Sequence, residues 1–488
     1  MTQRAAVATR DGEVATVWWL AAVCLVGIAV RAAFLTQPMR QDEADTVVLF
    51  ALTPVRHILV DTVIPNNHIL HSLLVKGSVG VLGLDPIAVR APAFLAACLV
   101  LPLTWAVGRA FYNARAGVIG AAIVAVSAPM VLYATNARGY SLIAVAMLLA
   151  LLALRTALEV SSVRSWGLFA VAAAAGAFVN PSMLYPVGGM VVWAALEIAH
   201  RNRAERMAGW RSLALACVAS GAMSLVSYAP AIRVSGWRSV VSNDYVRPMS
   251  WESFLRALGV FVGDIAGYLG AGWPVVLQLV APVALVAGWV LHRRLSRDRW
   301  PVSLAMLAWA VALLLVMRRP PFFRVWVFLV PVFAVTAGAA IDAALARLRV
   351  GRAATVAGLT ALFIALGAGA MQVMRQAPRQ LTETGLFPDG AAVADWLAVR
   401  LRPDDLIAAQ FRAQGPVDFY LRERGVRARF VVNGDSVPGR LFIIPSFDND
   451  ETARSVVESR RLRGVDPTRL REVVPFDRSA IWALEDSR

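Results

Sequence analysis

Long apolar segments recur along most of the chain, and each is close to the length needed to cross a bilayer. A transmembrane helix needs about 20 mainly apolar residues. The segments that approach this length lie at 16–35, 87–108, 116–134, 140–158, 166–179, 183–199, 212–230, 271–291, 301–317, 322–344 and 353–373. The mean hydropathy of +0.61 agrees with this pattern, because a soluble chain could not bury so much apolar surface. The sequence therefore predicts a polytopic α-helical membrane protein with about 11 spans.

The net charge of +16 comes from arginines that are grouped between the apolar segments. Clusters such as Arg109/Arg115, Arg201–Arg211 and Arg293–Arg299 occupy alternate loops, and basic loops of membrane proteins face the cytoplasm. This pattern predicts a cytoplasmic N-terminus and an extracytoplasmic C-terminal region. The basic residues are not part of any recognisable nucleic-acid-binding motif, so we expect no nucleic acid partner.

The predicted outer loop 36–86 begins with three carboxylates in five residues, Gln41-Asp42-Glu43-Ala44-Asp45. Carboxylates beside a membrane span are costly unless they face water or a cavity. Two amphipathic helices are predicted in this loop, at Asp42–Thr53 and Ile69–Leu82, and a polar turn, Pro65–His68, lies between them. We interpret the loop as a catalytic surface with Asp42 as its principal group. The other reading is that Asp42 and Glu43 cap the following helix, whose N-terminus favours acidic residues.

Several arginines lie on the predicted outer side, where positive charge is disfavoured: Arg138, Arg318, Arg319 and Arg324. Each alone can extend to lipid headgroups, which is the expectation for Arg318 and Arg319. Together with the acidic cluster they favour an anion site, since the guanidinium group binds phosphate bidentately. The outer loop 231–270 is rich in aromatic residues and is either a membrane anchor or a lid over a substrate channel.

The composition changes after Met374. Charged residues become frequent, and short strand-like runs appear at Asp405–Ala409, Arg429–Val432 and Leu441–Ile444, with helical stretches near 391–401 and 451–462. The expected domains are therefore 1–374, a transmembrane domain that contains the site, and 375–488, a small extracytoplasmic α/β domain.

Four features together resemble the GT-C glycosyltransferases: the Asp-Glu pair after the first span, the Pro-Asn-Asn-His turn, Ala-Arg-Gly-Tyr between the third and fourth spans, and Phe-Arg-Val-Trp opening a late span. The chain resembles most the bacterial branch related to protein O-mannosyltransferases and aminoarabinose transferases, the glycosyltransferase family 39-like enzymes. The resemblance implies a transferase of the bacterial inner membrane. Its donor would be a polyprenyl-phosphate sugar, and its acceptor a lipid, polysaccharide or protein.

The resemblance also implies roles for individual residues. Asp42 matches the catalytic carboxylate that deprotonates the acceptor, and Glu43 is its usual neighbour. The expected donor-phosphate and substrate-binding residues are Asn67, His68, Arg138, Tyr140 and Arg324. Two departures stand out. Asn136 occupies a position that is acidic in many relatives, and Val325 replaces a common tyrosine.

Alternatives stay open on the sequence alone. His68 and Tyr140 are also residue types of the membrane interface. A divalent metal held by Asp42, Glu43 and His68 is conceivable, although their spacing is no known ligand signature. A transporter or flippase for a lipid-linked or anionic substrate would also need buried charges. Transporters usually carry internal repeats and charges at mid-span, whereas these charges lie at the outer ends of spans.

Overall fold

The computed structural model describes residues 3–242, 247–348, 351–380, 385, 387–437 and 439–484, without the side chains of 3–15, 352 and 379–380. The extreme termini, whose sides of the membrane were predicted above, and residues 243–246 of the predicted loop 231–270 lie outside this description. The first half of the chain is helical. Its helices are α1 (Gln3–Ala32), α2 (Gln41–Asp45), α3 (Val55–Val60), α4 (Ile69–Leu82), α5 (Pro86–Phe111), α6 (Ala114–Ala125), α7 (Ala128–Leu132), α8 (Tyr140–Val160), α9 (Val163–Val179), α10 (Leu184–Ala199) and α11 (Arg203–Ser235).

The helical region continues to residue 380. The remaining helices of this part are α12 (Trp237–Val241), α13 (Trp251–Leu269), α14 (Val275–Val290), α15 (His292–Leu295), α16 (Val302–Met317), α17 (Leu329–Arg347) and α18 (Arg352–Gln380). All eleven predicted apolar segments are helical, and six described helices are individually long and apolar enough to cross a membrane. The prediction of a polytopic helical membrane protein is confirmed.

Two predicted spans are interrupted, and both interruptions shape the site. The segment predicted at 116–134 breaks at Ser127 because Pro129 has no N–H to donate to the carbonyl oxygen of Ala125 and its ring would clash with that carbonyl, so Pro129 is accommodated in the first turn of a new helix. The short helix α7 and the buried loop 133–139 result. The segment predicted at 322–344 opens with a 3₁₀ turn, Phe323–Phe328, before α17 begins. Each irregularity brings an arginine close to α2.

The bundle is held by close helix crossings at glycine. A Cβ atom on Gly338 of α17 would lie 2.7 Å from the carbonyl oxygen of Ala116, and one on Gly120 of α6 would lie 3.0 Å from Cγ2 of Val335. Small residues of this kind let membrane helices approach until their backbones touch. The α6–α17 contact therefore fixes the position of the 3₁₀ turn that precedes α17.

The C-terminal region forms a small α/β domain, as predicted. Its helices are α19 (Gly390–Ala398), α20 (Phe411–Glu423) and α21 (Ala453–Arg460), and its strands are β1 (Leu406–Ala409), β2 (Arg429–Phe430), β3 (Leu441–Ile444), β4 (Arg471–Pro475) and β5 (Ala480–Leu484). The sheet order is β2-β1-β3-β5-β4, with β1 parallel to β2 and β3 and the last two pairings antiparallel. The boundary predicted at 374/375 lies inside α18, because that helix continues to Gln380.

The small domain rests on the loop that carries α2. Met39, Ala44 and Val47 share one buried cluster with Phe419 of α20, and the backbone N–H of Met39 donates to the Tyr420 hydroxyl at 3.0 Å. The C-terminal domain therefore covers the acidic helix and buries one of its faces.

Candidate active site

The three carboxylates of α2 lie in three different environments, because neighbouring residues on a helix point about 100° apart. Glu43 is fully buried, Asp45 is 8% exposed, and the side chain of Asp42 is 18% exposed. Only Asp42 combines an open side with a cationic partner from a distant span. These environments separate three groups that the sequence presents as one cluster.

Glu43 is saturated by hydrogen-bond donors. Its carboxylate accepts bonds from Nε and Nη2 of Arg90, from the backbone N–H of Arg40 at 2.9 Å and from the backbone N–H of Ala137 at 3.0 Å. Burial opposes its ionisation, but Arg90 and Arg40 outweigh burial and hold the pKa of Glu43 below its ordinary value. The predicted catalytic role of Glu43 does not fit this geometry, since its carboxylate faces protein on every side. Glu43 instead ties α2 to α5 and to the loop before α8.

Asp42 faces Arg324. One carboxylate oxygen of Asp42, Oδ2, lies 3.2 Å from Nη1 of Arg324, which the 3₁₀ turn before α17 presents. The guanidinium group of Arg324 is 10% exposed and stacks over the Phe322 ring at 4.2 Å. An acid from the loop after the first span and an arginine from the start of a late span thus meet. A partly exposed carboxylate held in this way can accept a proton from a bound hydroxyl.

His68 and Arg138 form the second part of the site. Nδ1 of His68 accepts the backbone N–H of Gly139 at 3.0 Å, and Nε2 lies 3.3 Å from Nη2 of Arg138. Burial and the positive charge of Arg138 lower the pKa of His68 well below its ordinary value, so the imidazole is neutral. Because Nδ1 accepts, the proton is on Nε2. Two donors, Nε2–H and the guanidinium group, therefore face each other, and an anionic oxygen would satisfy both.

Glycine is required beside this pair. A Cβ atom on Gly139 would lie 2.8 Å from Nδ1 of His68 and 2.3 Å from Cγ1 of Val179. The close approach lets the Gly139 amide reach the imidazole and fixes its tautomer. The Ala-Arg-Gly-Tyr sequence is thus explained by packing and charge: Arg138 supplies a positive charge, and Gly139 orients His68.

The two asparagines of the outer turn have different roles. The side chain of Asn67 donates to the carbonyl oxygens of Ile58 and Asp61 and accepts from Ser72, so its amide is used within the loop. Asn66, which the sequence analysis did not select, donates to the carbonyl oxygen of Asp42 at 2.8 Å. Its own backbone oxygen accepts from Arg138 at 3.3 Å. Asn66 therefore links the two halves of the site, whereas the predicted substrate contact of Asn67 does not fit its orientation.

Tyr140 packs against the ring of His68, with centroids 5.2 Å apart, and against Tyr133 at 4.8 Å. It belongs to the site by contact with His68. The arginines expected at headgroups are represented by Arg318, which stacks over the exposed ring of Trp251 at 5.4 Å.

A large apolar cavity of about 1820 Å³ lies within the helical region. It lies among α1, α6, α13, α14, α16, α17 and α18, and its lining follows the chain from Trp326 of the 3₁₀ turn to Ala346 near the end of α17. At 1.5 Å per residue this stretch is roughly 30 Å long, which is about the thickness of the hydrocarbon core. Trp326, which lines one end of the cavity, is two residues from Arg324 in the same 3₁₀ turn, whereas Asp42, His68, Arg138 and Arg324 do not line the cavity. Helix α13, from the predicted lid segment 231–270, packs its Phe261 and Tyr268 against Phe323 at this end.

Metal binding was left open by the sequence. Within the described part of the chain, no group of three or more acidic, histidine or cysteine side chains is placed to hold a metal ion. Glu43 is already saturated by arginine and backbone donors.

Comparisons with known proteins agree with this architecture. The family model for dolichyl-phosphate-mannose-protein mannosyltransferases matches residues 66–225. ArnT from Cupriavidus metallidurans bound to undecaprenyl phosphate is similar over 96% of this chain and 98% of its own, with a TM-score of 0.62 and 13% identity. The apo form of the same protein gives a TM-score of 0.63 at 13% identity, over 97% of this chain and 100% of its own.

A second solved structure is similar over most of the chain. The archaeal oligosaccharyltransferase AglB from Archaeoglobus fulgidus, in complex with an inhibitory peptide and a dolichol-phosphate, has a TM-score of 0.51 and 10% identity, over 89% of this chain and 70% of its own. No curated protein matches the sequence. At these identities the likeness establishes the fold. The chain is a multi-pass membrane protein with the fold of the GT-C glycosyltransferases, as the sequence resemblance predicted.

Proposed function

We propose that this protein is an integral-membrane glycosyltransferase that moves a sugar from a polyprenyl-phosphate donor to a cell-envelope acceptor. The observation that carries the proposal is the pairing of Asp42 with Arg324 near the His68–Arg138 donors, in a chain that also has a long apolar cavity reaching Trp326, two residues from Arg324. The similar ArnT structure contains undecaprenyl phosphate and the AglB structure contains dolichol-phosphate. Both ligands combine a long tail with an anionic head, which is the combination that this site would accommodate.

The proposed reaction is a single displacement. The acceptor hydroxyl attacks the anomeric carbon, a new carbon–oxygen bond forms, and the bond from that carbon to the phosphate oxygen breaks. Asp42 takes the hydroxyl proton as general base. Arg138, Arg324 and Nε2–H of His68 stabilise the negative charge that returns to the phosphate. Attack from the side opposite the phosphate inverts the anomeric centre.

The apolar cavity would hold the prenyl tail. Its walls are aliphatic and aromatic along α17 and α18, and apolar walls with a few convergent polar groups are typical of ligand sites. The phosphate end of the donor would lie at the Trp326 end of the cavity, because Trp326 lines the cavity and is two residues from Arg324. On this proposal the phosphate would lie beside Arg324.

The alternating arginine loops support a bacterial inner-membrane location with the N-terminus in the cytoplasm. In that orientation α2 and the C-terminal domain lie on the outer face. The acceptor would then approach from outside, where the C-terminal domain covers α2. We propose a lipid, polysaccharide or protein acceptor on that face.

The decisive experiment is transfer by the purified protein in liposomes, with a panel of undecaprenyl-phosphate hexoses and pentoses and envelope extract as acceptor. Wild-type protein should release undecaprenyl phosphate and label an acceptor. Asp42→Asn should abolish transfer and leave the protein folded. Asp61→Asn, another acid of the same outer loop, is the matched control and should retain activity. Full activity of Asp42→Asn would remove Asp42 from the mechanism.

Donor binding is tested separately from turnover. Arg138→Ala and Arg324→Ala should weaken binding of undecaprenyl phosphate more than they raise the KM for acceptor, because both cations face the phosphate in this proposal. Arg318→Ala removes an outer arginine that stacks on Trp251 and serves as control. Unchanged affinity in both site variants would refute the phosphate assignment.

A further inference from the structure

Arg40 is a buried arginine whose charge has little compensation from the protein. It is 2% exposed, and its one side-chain hydrogen bond to a described residue is from Nη2 to Oε1 of Gln37, at 3.1 Å. Its Nε and Nη1 groups are buried without a hydrogen-bond partner among the described residues. Burial lowers the pKa of Arg40 to about 10, so the guanidinium group keeps its charge at neutral pH.

The nearest carboxylate does not neutralise this side chain. Glu43 accepts from the backbone N–H of Arg40, but its oxygens are otherwise occupied by Arg90 and by the amide of Ala137. Burial is the largest effect on the pKa of Arg40 and lowers it; the charge of Glu43 favours the charged form of Arg40, and the charge of Arg90 opposes it. A buried charge without hydrogen-bonded compensation is strongly unfavourable. A residue of this kind is expected where an anion binds.

The neighbours of Arg40 indicate which kind of anion it would bind. Tyr133 and Tyr268 lie within electrostatic reach of its guanidinium group, and Tyr268 directly precedes Leu269 and Gly270, which line the apolar cavity. Gln37, the hydrogen-bond partner of Arg40, also donates to the carbonyl oxygen of Met374 in α18, a helix that lines the same cavity. Arg40 therefore lies just before α2, near α13 and α18, two helices that line the cavity.

Tyr133 connects this region to the other cations. Its ring packs on Tyr140, and the ring of Tyr140 packs on His68, which faces Arg138. A series of packed rings, Tyr133, Tyr140 and His68, thus connects the surroundings of Arg40 to Arg138. If the apolar tail of a lipid phosphate lay in the cavity, its charged head would lie near these cationic groups.

We propose that Arg40 binds the phosphate of the polyprenyl-phosphate donor, through the N–H groups of Nε and Nη1. This assignment rests on the proposed function and extends it. Arg40 lies two residues from Asp42. It is not one of the residues that the family resemblance indicated. In this role Arg40 positions the phosphate head of the donor. The role also explains why the chain retains a buried charge that destabilises the ligand-free protein.

The test compares stability with binding in full-length protein in detergent. Arg40→Met removes the charge and keeps an apolar side chain of similar length, so the apparent Tm without ligand should stay the same or rise. The same variant should bind undecaprenyl phosphate about 10- to 100-fold more weakly, as expected for losing a charge-assisted contact. Its response to undecaprenol, which has the tail without the phosphate, should match that of wild type. Arg40→Lys should recover part of the affinity.

The matched control is Arg31→Met. Arg31 is also fully buried, but its guanidinium group donates to the carbonyl oxygens of Gly27, Val124 and Ala125. Its removal should therefore lower the apparent Tm. A fall in Tm for Arg40→Met that equals the fall for Arg31→Met, together with wild-type affinity for undecaprenyl phosphate, would overturn the inference and leave the proposed function standing. Failure of wild-type protein itself to bind undecaprenyl phosphate would overturn both.

Discussion

Replacement of Glu43 by glutamine tests whether this carboxylate stabilises the fold or takes part in the reaction. Glutamine has the same shape, but one carboxylate oxygen becomes an NH₂ group. Oε1 accepts from the Arg40 amide and from Nη2 of Arg90, and Oε2 accepts from Nε of Arg90 and the Ala137 amide. Whichever oxygen is replaced, the new NH₂ group faces two donors, and the charge of Arg90 loses its partner.

The expected loss of stability is large. Both side chains of the Glu43–Arg90 pair are fully buried, and breaking a buried pair by removing one partner costs about 3–5 kcal/mol. The Asp42–Arg324 pair is partly exposed, so Asp42→Asn should cost about 1 kcal/mol or less. At 2–4 °C per kcal/mol for domains of moderate size, the apparent Tm of Glu43→Gln should fall by roughly 6–20 °C.

The assay is thermal unfolding in detergent, followed by intrinsic tryptophan fluorescence, for wild type, Glu43→Gln, Asp42→Asn and Arg90→Met. The double variant Glu43→Gln/Arg90→Met should lose less than the sum of the two single losses, because removing both charges leaves neither one buried alone. This non-additivity is the signature of the pair and does not depend on any activity measurement.

One result would refute the structural role. If Glu43→Gln has the Tm of wild type and still loses transfer as completely as Asp42→Asn, then Glu43 acts on the substrate. The predicted catalytic role of Glu43 would then hold, and the observed saturation of its carboxylate would describe a state that opens during turnover.

Three further predictions follow from the geometry. Gly139→Ala should impair donor binding, seen as a raised KM for donor, because its Cβ would displace the imidazole of His68. Asn66→Ala should reduce kcat with little change in Tm, whereas Asn67→Ala should lower the Tm, because Asn66 supports Asp42 and Asn67 closes the loop. Asp45→Asn should alter the pH dependence of stability. Burial raises the pKa of Asp45 to about 7, so its stabilising contribution is fully present below about pH 4 and is lost as pH rises through about 7. The Tm of this variant relative to wild type should therefore increase across that interval.

Much of the fold could be predicted because membrane insertion imposes simple rules on sequence. Spans need length and apolarity, and these are visible without knowledge of packing. The outer-loop helix Ile69–Leu82 was predicted with the bounds that α4 has. The break at Ser127 was missed, since apolarity continues across it and only Pro129 marks it. Helix α20 was missed because Gly415 and Pro416 lie inside it, and such residues usually predict a turn.

The candidate site was predicted less completely, for a physical reason. Charge on the outer side of the membrane indicated Arg138 and Arg324, because it opposes the general bias of the loops. Nothing local distinguished Asn66 from Asn67, since the choice depends on which side chain the turn directs toward α2. Arg90 lies inside an apolar helix and could have been noticed as a charge within a span, which usually needs a partner.

The environments of the three acids indicate which one can do chemistry. Three like charges within one helical turn repel each other, so they can coexist only if their charges are compensated or suppressed. Arg90 compensates Glu43, and burial keeps Asp45 largely protonated up to about pH 7. Asp42 is thereby left as the acid with an open side, and its cationic partner Arg324 stands where a leaving phosphate would also need a cation. The acidic cluster of the sequence is thus one reactive group supported by two neighbours, and this division of roles would be lost if either neighbour were exposed.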